Sequence, residues 1–197
     1  MMNRRTIDLL LSWTGLVVAV VLLVAGGLLL YGGTFVHNQV HDQLASQKIF
    51  FPPANSAAVK GPQFAEMRQY GGQQLTTGPQ AQTYANHFIA VHLSEVAGGQ
   101  TYSQVSTKAL ANPNDTALQD QVQTLFRGTT LRGLLLNAYA FWTVGTIAQT
   151  AAVVTLVGGV ALVVLAIFGF MHARRYREEA APVGLDQGRY ETERRAA

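Results

Sequence analysis

Residues 9–30 read LLLSWTGLVVAVVLLVAGGLLL, and residues 150–171 read TAAVVTLVGGVALVVLAIFGFM. Neither run contains a charged residue. A helix needs about 20 predominantly apolar residues to cross the roughly 30 Å hydrocarbon core of a bilayer. Both runs reach that length, and a longer, more polar segment separates them. The sequence therefore predicts an integral membrane protein with two transmembrane helices.

Arginine clusters flank both runs on the side of the chain termini. Arg4 and Arg5 precede the first run, and Arg174, Arg175 and Arg177 follow the second. Because cytoplasmic flanks of membrane proteins carry an excess of Lys and Arg, we expect both termini in the cytoplasm of a plasma-membrane protein. The net charge of +3 is concentrated at these flanks. It therefore suits contact with membrane lipids and predicts no nucleic-acid surface.

This organisation divides the chain into five predicted segments. They are a cytoplasmic N-terminus at 1–8, a transmembrane helix at 9–32, an extracytoplasmic helical domain at 33–146, a transmembrane helix at 147–171, and a basic, disordered cytoplasmic tail at 172–197. The first run exceeds the 7–15-residue apolar core of a signal peptide, so we expect it to remain as an anchor. The chain has no cysteine, which excludes disulfides and thiolate metal sites.

Capping motifs and apolar spacing predict an all-α middle segment. Thr77 and Thr101 each begin a Thr-x-x-Gln capping box, Gly98 and Pro113 mark helix ends, and Asp115 or the preceding Asn can cap a third helix. The predicted inner face of the first helix is Ala81, Tyr84, Ala85, Phe88, Val91, His92 and Glu95 or Val96. That of the second helix is Val105 and Ala109, and that of the third is Leu118, Val122, Leu125 and Phe126. Upstream, Val36, Val40 and Leu44 predict a short helix that ends near Lys48.

The stretch from residue 131 to residue 171 is about twice as long as one span requires. It forms either one continuous helix that rises above the membrane or a hairpin that crosses twice. The hairpin would place Arg174 outside, against the positive-inside rule, so we predict the continuous helix. Its outer part, LRGLLLNAYAFWTVGTIA, would then expose apolar surface above the membrane. Such a surface indicates a membrane-protein partner or a homo-oligomer. The candidate residues for contact with lipid or a partner are Arg127, Arg132, Leu134, Tyr139, Phe141 and Trp142.

Histidine and carboxylate pairs at helical spacing are weak candidates for a metal site. His37 and His41 are four residues apart, while His92 and Glu95 are three apart and follow His87. Such residues ligate zinc and non-haem iron, but no motif with defined spacing joins them. The known catalytic signatures are also missing from the sequence. We therefore predict no metal, no cofactor and no catalytic residue.

A resemblance to a protein family appears in two segments, HFIAVHLSEVAGGQTYSQVS at 87–106 and TLFRGTTLRGLLLNAYAFWTVGTIA at 124–148. Over about residues 76–148 the chain resembles an uncharacterised family of actinobacterial two-span membrane proteins. Some members are described as aromatic ring-opening dioxygenases, a description that His87, His92 and Glu95 do not support. The resemblance implies an actinobacterial plasma membrane and supplies no site residues.

These observations predict a non-catalytic accessory or stabilising subunit, or a scaffold, of a larger envelope or respiratory membrane complex. A first alternative is a sensory ectodomain that binds a lipid or an envelope component. A hydrophobic pocket between the Tyr84 and Phe88 face and residues 131–142 would favour that alternative. A second alternative is a metal-dependent enzyme, which would require the histidines to converge in one cleft.

Overall fold

The computed structural model describes residues 4–179, with side chains described for residues 6–175. This part of the chain is all-helical, as predicted, and contains no strand. The helices are α1 (Arg4–Ser46), α2 (Ala65–Arg68), α3 (Gly78–Tyr84), α4 (Ala90–Val96), α5 (Tyr102–Ala111) and α6 (Thr116–Glu179). Two 3₁₀ turns, Ala57–Val59 and Pro62–Phe64, precede α2, and a π turn, Ala85–Ile89, joins α3 to α4.

Helices α1 and α6 are both longer than the apolar runs from which they were predicted. The expected short helix at 36–48 is the last part of α1, which continues without a break to Ser46. Residues 131–171 lie within one uninterrupted helix, so the hairpin alternative is wrong. Residues 172–179 of the predicted disordered tail are also helical, and residues 180–197 lie outside the described residues.

The chain divides into two compact units, a terminal unit (Met1–Leu28 and Ala152–Ala197) and a central unit (Leu29–Ala151). In the terminal unit, α1 and α6 pack through small residues. A Cβ atom added at Gly26 would lie 2.7 Å from Leu156 Cγ, and one added at Gly159 would lie 2.9 Å from Leu23 Cγ. The buried residues that the structure describes in this unit are all small: Ser12, Ala19, Gly26, Ala152, Gly159, Ala166 and Ala173.

Apart from leucines such as Leu23 and Leu156 that pack on the glycines, most large apolar side chains of the terminal unit point away from this contact. Only 11% of the most apolar 18-residue stretch of α1, and 17% of that of α6, is buried. Leu11, Trp13 and Val21 are among the exposed residues on α1, as are Val154 and Phe168 on α6. The arrangement of small residues at the contact and large ones outside is typical of helices in lipid, where large apolar side chains need no shelter from water.

The central unit contains a conventional hydrophobic core. Val40 and Leu44 of α1 and Leu135 of α6 pack against residues of the 47–76 segment and of α3. The buried core residues are Val40, Leu44, Phe51, Val59, Phe64, Met67, Leu75, Ala81, Ala85, Ile89 and Leu135. A second, smaller cluster joins Ala97, Val105 and Leu125. The 47–76 segment is closed at its base, because Leu75 N donates to Ile49 O at 2.8 Å.

Both predicted capping boxes are confirmed. Thr77 accepts from Gln80 N, Thr101 accepts from Gln104 N, and each Gln side chain accepts in return from its cap residue. Asp115 caps α6, since its Oδ1 accepts from Leu118 N at 3.0 Å. These ends are well predicted because a cap depends on side chains only three residues apart.

The π turn changes which residues face the core after Ala85. Because it adds one residue to a helical turn, the inward face passes from Ala85 to Ile89, Leu93 and Ala97. The predicted inward positions His92, Glu95 and Val96 are instead exposed, while Phe88 and Val91 are partly buried. In α6, Phe126 was also predicted to face inward but is exposed. The prediction for its neighbour Leu125 is confirmed, since that side chain is buried.

Candidate functional site

An apolar groove of about 650 Å³ runs along the central unit between α1 and α6. One wall is formed by residues 35–44 of α1 with Gln47 and Ile49 just after it, and the other by residues 131–141 of α6. The lining residues are Phe35, Val36, Gln39, Val40, Gln43, Leu44, Gln47, Ile49, Leu131, Leu134, Leu135, Asn137, Ala138 and Phe141. The volume falls within the range of about 300–1,000 Å³ found for binding pockets.

The two walls have helical spacing. On α1, pairs of lining residues recur every four positions, at 35 and 36, 39 and 40, and 43 and 44. On α6, they recur three or four apart, at 131, 134, 138 and 141. The two helices are antiparallel here, because Gly33 lies against Gln149 while His37 lies against Gly145. Such a pair of ridges is the geometry into which a further helix packs.

Polar groups along the groove are amides rather than charges. Gln39 and Gln43 of α1, with Gln47 just after its end, form a ladder four residues apart, and Asn137 lies on the α6 side. All four residues are exposed. Within the described part of the chain, no charged residue lines the groove. The surface therefore suits an uncharged, largely apolar occupant with room for hydrogen bonds at its edge.

Two of the predicted partner-contact residues lie in this groove. Leu134 is 61% exposed and Phe141 is 63% exposed, and both belong to the α6 wall. Trp142 is not a free contact surface, because its ring stacks on His37 with centroids 4.1 Å apart. Tyr139 is half-buried and Arg127 is exposed, and neither lines the groove.

His37 joins α1 to α6 next to the groove. Its Nε2 lies 3.0 Å from the carbonyl oxygen of Trp142 and 3.1 Å from Thr146 Oγ1. A carbonyl oxygen can only accept, so Nε2 carries the proton and donates. The ring also fills the space over Gly145, where an added Cβ would lie 2.7 Å from His37 Cδ2. His37 therefore holds the two helices in register.

The structure does not bring the candidate metal ligands together. His41 is exposed and lies 3.2 Å from Asp42 Oδ1. His92 Nδ1 lies 2.8 Å from Phe88 O, so this nitrogen also donates to a carbonyl. His87 is half-buried and Glu95 is exposed. Among the described residues, no group of three or more His, Asp or Glu side chains is placed to hold a metal ion.

The sequence indicates the α6 wall of the groove but not the α1 wall. Val36, Val40 and Leu44 were recognised as one helical face, but nothing in their spacing indicated that α6 would lie beside them. The pocket considered for a ligand, between the Tyr84 and Phe88 face and α6, is filled by the core instead. Comparison of the chain with protein-family models, curated proteins and solved structures gives no match.

Proposed function

We propose that the chain is a two-span plasma-membrane protein with both termini in the cytoplasm. The spans would lie at residues 9–32 and 147–171, with residues 33–146 outside the cytoplasm. Two observations support this arrangement. The terminal unit turns its large apolar side chains outward, and arginines flank the runs on the side of both termini.

Within that arrangement, we propose that the protein is a non-catalytic accessory subunit that holds a helix of another membrane protein. The groove between α1 and α6 carries this proposal. Its walls have helical spacing, the described residues that line it carry no charge, and Leu134 and Phe141 remain exposed. Recognition of an apolar helical face by such a groove is a recurrent mode of protein binding.

The occupant we commit to is a helix with small or apolar residues spaced three and four apart. Small residues would let its backbone approach the ridges of α1 and α6. An amide or hydroxyl at its edge would pair with the ladder of Gln39, Gln43 and Gln47. A charged face is disfavoured, because no described residue of the lining could neutralise it.

A lipid acyl chain is the second candidate occupant. The volume of about 650 Å³ and the uncharged lining favour it. An acyl chain has no helical period, however, and makes no use of the regular spacing of the two walls. It also carries no polar group to pair with the glutamine ladder.

Site-specific photo-crosslinking in the native membrane tests the proposal. A benzophenone amino acid is placed at Leu134, at Phe141 and, as a control, at Leu110, which is 82% exposed on α5 and lies outside the groove. We expect adducts from the two groove positions, and none from Leu110, that map to residues three or four apart in one helix of a different membrane protein.

Three results would contradict the proposed helix-binding function. Adducts with lipid alone would assign the groove to an acyl chain. Adducts with a second copy of this chain would make the protein a homo-oligomer. The same adducts from Leu110 as from Leu134 would show that the groove has no selectivity.

A further inference from the structure

A second cavity, of about 340 Å³, lies in the central unit between α4, α5 and α6. We call it the Arg132 cavity. Leu93, Tyr102 and Leu125 supply apolar surface, while Gln100, Thr129 and Arg132 supply polar groups. None of these residues lines the groove between α1 and α6.

Arg132 lines this cavity, and the described residues supply no counter-charge there. One Nη2–H donates to Asn86 Oδ1 at 2.9 Å. The Nε atom is buried and has no hydrogen-bond partner. No carboxylate of the described chain lines the cavity. A half-buried guanidinium that keeps an unpaired donor is costly, and an acceptor from outside the chain would remove that cost.

A second buried, unpaired polar atom belongs to another residue that lines the same cavity. Among the described side chains, three buried polar atoms lack a partner: Ser56 Oγ, Gln100 Oε1 and Arg132 Nε. Gln100 and Arg132 both line the Arg132 cavity. One is an acceptor and the other a donor, so they do not compete for the same kind of ligand atom.

We propose that the Arg132 cavity binds the oxyanion of a small organic phosphate or carboxylate that also carries a hydroxyl group. The oxyanion would accept from Arg132, as charge-assisted pairs with guanidinium do. The hydroxyl would donate to Gln100 Oε1, and the organic part would lie against Leu93, Tyr102 and Leu125. The N-cap and first residues of α5 border the cavity at 101–103 and add the positive end of a helix dipole.

The Nε–Hε resonances of arginine report this interaction directly. The full-length chain is labelled with ¹⁵N-arginine, placed in phosphatidylcholine nanodiscs and titrated with inorganic phosphate or with sulfate. Arg127 is the matched control, because it lies five positions earlier on α6, is exposed and does not line the cavity. Arg132→Lys and Arg127→Lys assign the two resonances.

We expect the Arg132 resonance to shift saturably with phosphate while the Arg127 resonance stays in place. Phosphate should bind more tightly than sulfate, because only phosphate carries a P–OH that can donate to Gln100. Gln100→Leu should remove that preference, and Arg132→Gln should weaken phosphate binding by about 10- to 100-fold. The phosphate titration itself is carried out on the wild-type chain, so a folding defect in Gln100→Leu or Arg132→Gln cannot hide the shift of the Arg132 resonance.

A second experiment, without added phosphate, identifies the source of the oxyanion. A shift of the Arg132 resonance in phosphatidylglycerol nanodiscs would identify a lipid headgroup, and no shift there would leave a free solute as the ligand. The proposal is overturned if phosphate leaves the Arg132 resonance unmoved, or if it shifts the Arg127 and Arg132 resonances alike. Neither result bears on the helix-binding groove, which uses other residues.

Discussion

Individual glycines of α6 differ in what surrounds them. At Gly145 an added Cβ would lie 2.7 Å from His37 Cδ2 and 3.1 Å from the carbonyl oxygen of Gly33. At Gly133, on the same helix, an added Cβ meets nothing within 4 Å. The first glycine allows α1 and α6 to approach, whereas the second only weakens the helix.

Replacing these two glycines should therefore have opposite effects. We expect Gly145→Ala to lower the free energy of unfolding by about 1–3 kcal/mol, because His37 must move and its bond to Trp142 is strained. Gly133→Ala should raise it by about 0.5–1 kcal/mol through helix propensity. Thermal unfolding in detergent, followed by circular dichroism, measures both. Equal stability of the two variants would show that α1 and α6 are not in close contact at Gly145.

Burial of Tyr84 links stability to alkaline pH. The ring lies between Phe51 and Phe88, with centroids 5.4 Å and 4.8 Å away. Burial raises the pKa of the Tyr84 phenol above its usual value of 10.0. The folded state then holds this proton more tightly than the unfolded state does. The resulting stability is complete below the unfolded pKa and is lost as the pH rises through the folded one.

Tyr84→Phe should remove that pH dependence while keeping the ring contacts. We expect the melting temperature of the wild-type protein to fall more steeply above pH 10 than that of the variant. Melting curves recorded from neutral to alkaline pH test this expectation, with the exposed Tyr102→Phe variant as a control for the loss of a hydroxyl. Melting temperatures that fall equally with pH in the wild type and in Tyr84→Phe would contradict this expectation.

At the scale of elements, local motifs were predicted and register was not. The capping boxes at Thr77 and Thr101 are found where the sequence places them, because all their partners lie within one turn. The π turn Ala85–Ile89 was missed, and with it the burial of Ile89. A π turn is stabilised by the packing on either side of it, and its residues have no distinctive spacing of their own.

The contribution of the Thr101 cap to stability should be measurable at the start of α5. We expect Thr101→Val to lower the free energy of unfolding by about 1 kcal/mol, because the N–H of Gln104 loses its acceptor. Thr107→Val is the matched control, since the Thr107 hydroxyl only donates back to Ser103 O within the same helix. Hydrogen exchange of the amides at the start of α5 distinguishes the two variants, because only Thr101→Val should speed it. Equal exchange in both variants would contradict the role of the cap.

At the scale of the whole molecule, the absence of cysteine makes the proposed topology directly testable. We expect Ala54→Cys and Leu110→Cys to react with a membrane-impermeant maleimide in intact cells. Arg175→Cys should react only after the membrane is opened, because it follows the second proposed span. All three residues are exposed, so each thiol is reachable in the folded chain. Labelling of Arg175→Cys in intact cells would contradict cytoplasmic termini.

The sequence by itself determined the all-helical class, the two long apolar helices and the capped helix ends. Each depends on composition or on residues within a few turns of one another. Only the tertiary structure decided the second wall of the groove, the contact of His37 with Trp142 across 105 positions and that of Arg132 with Asn86 across 46. Residues far apart in the chain are brought together by packing, and packing depends on the shapes of surfaces that no local pattern encodes.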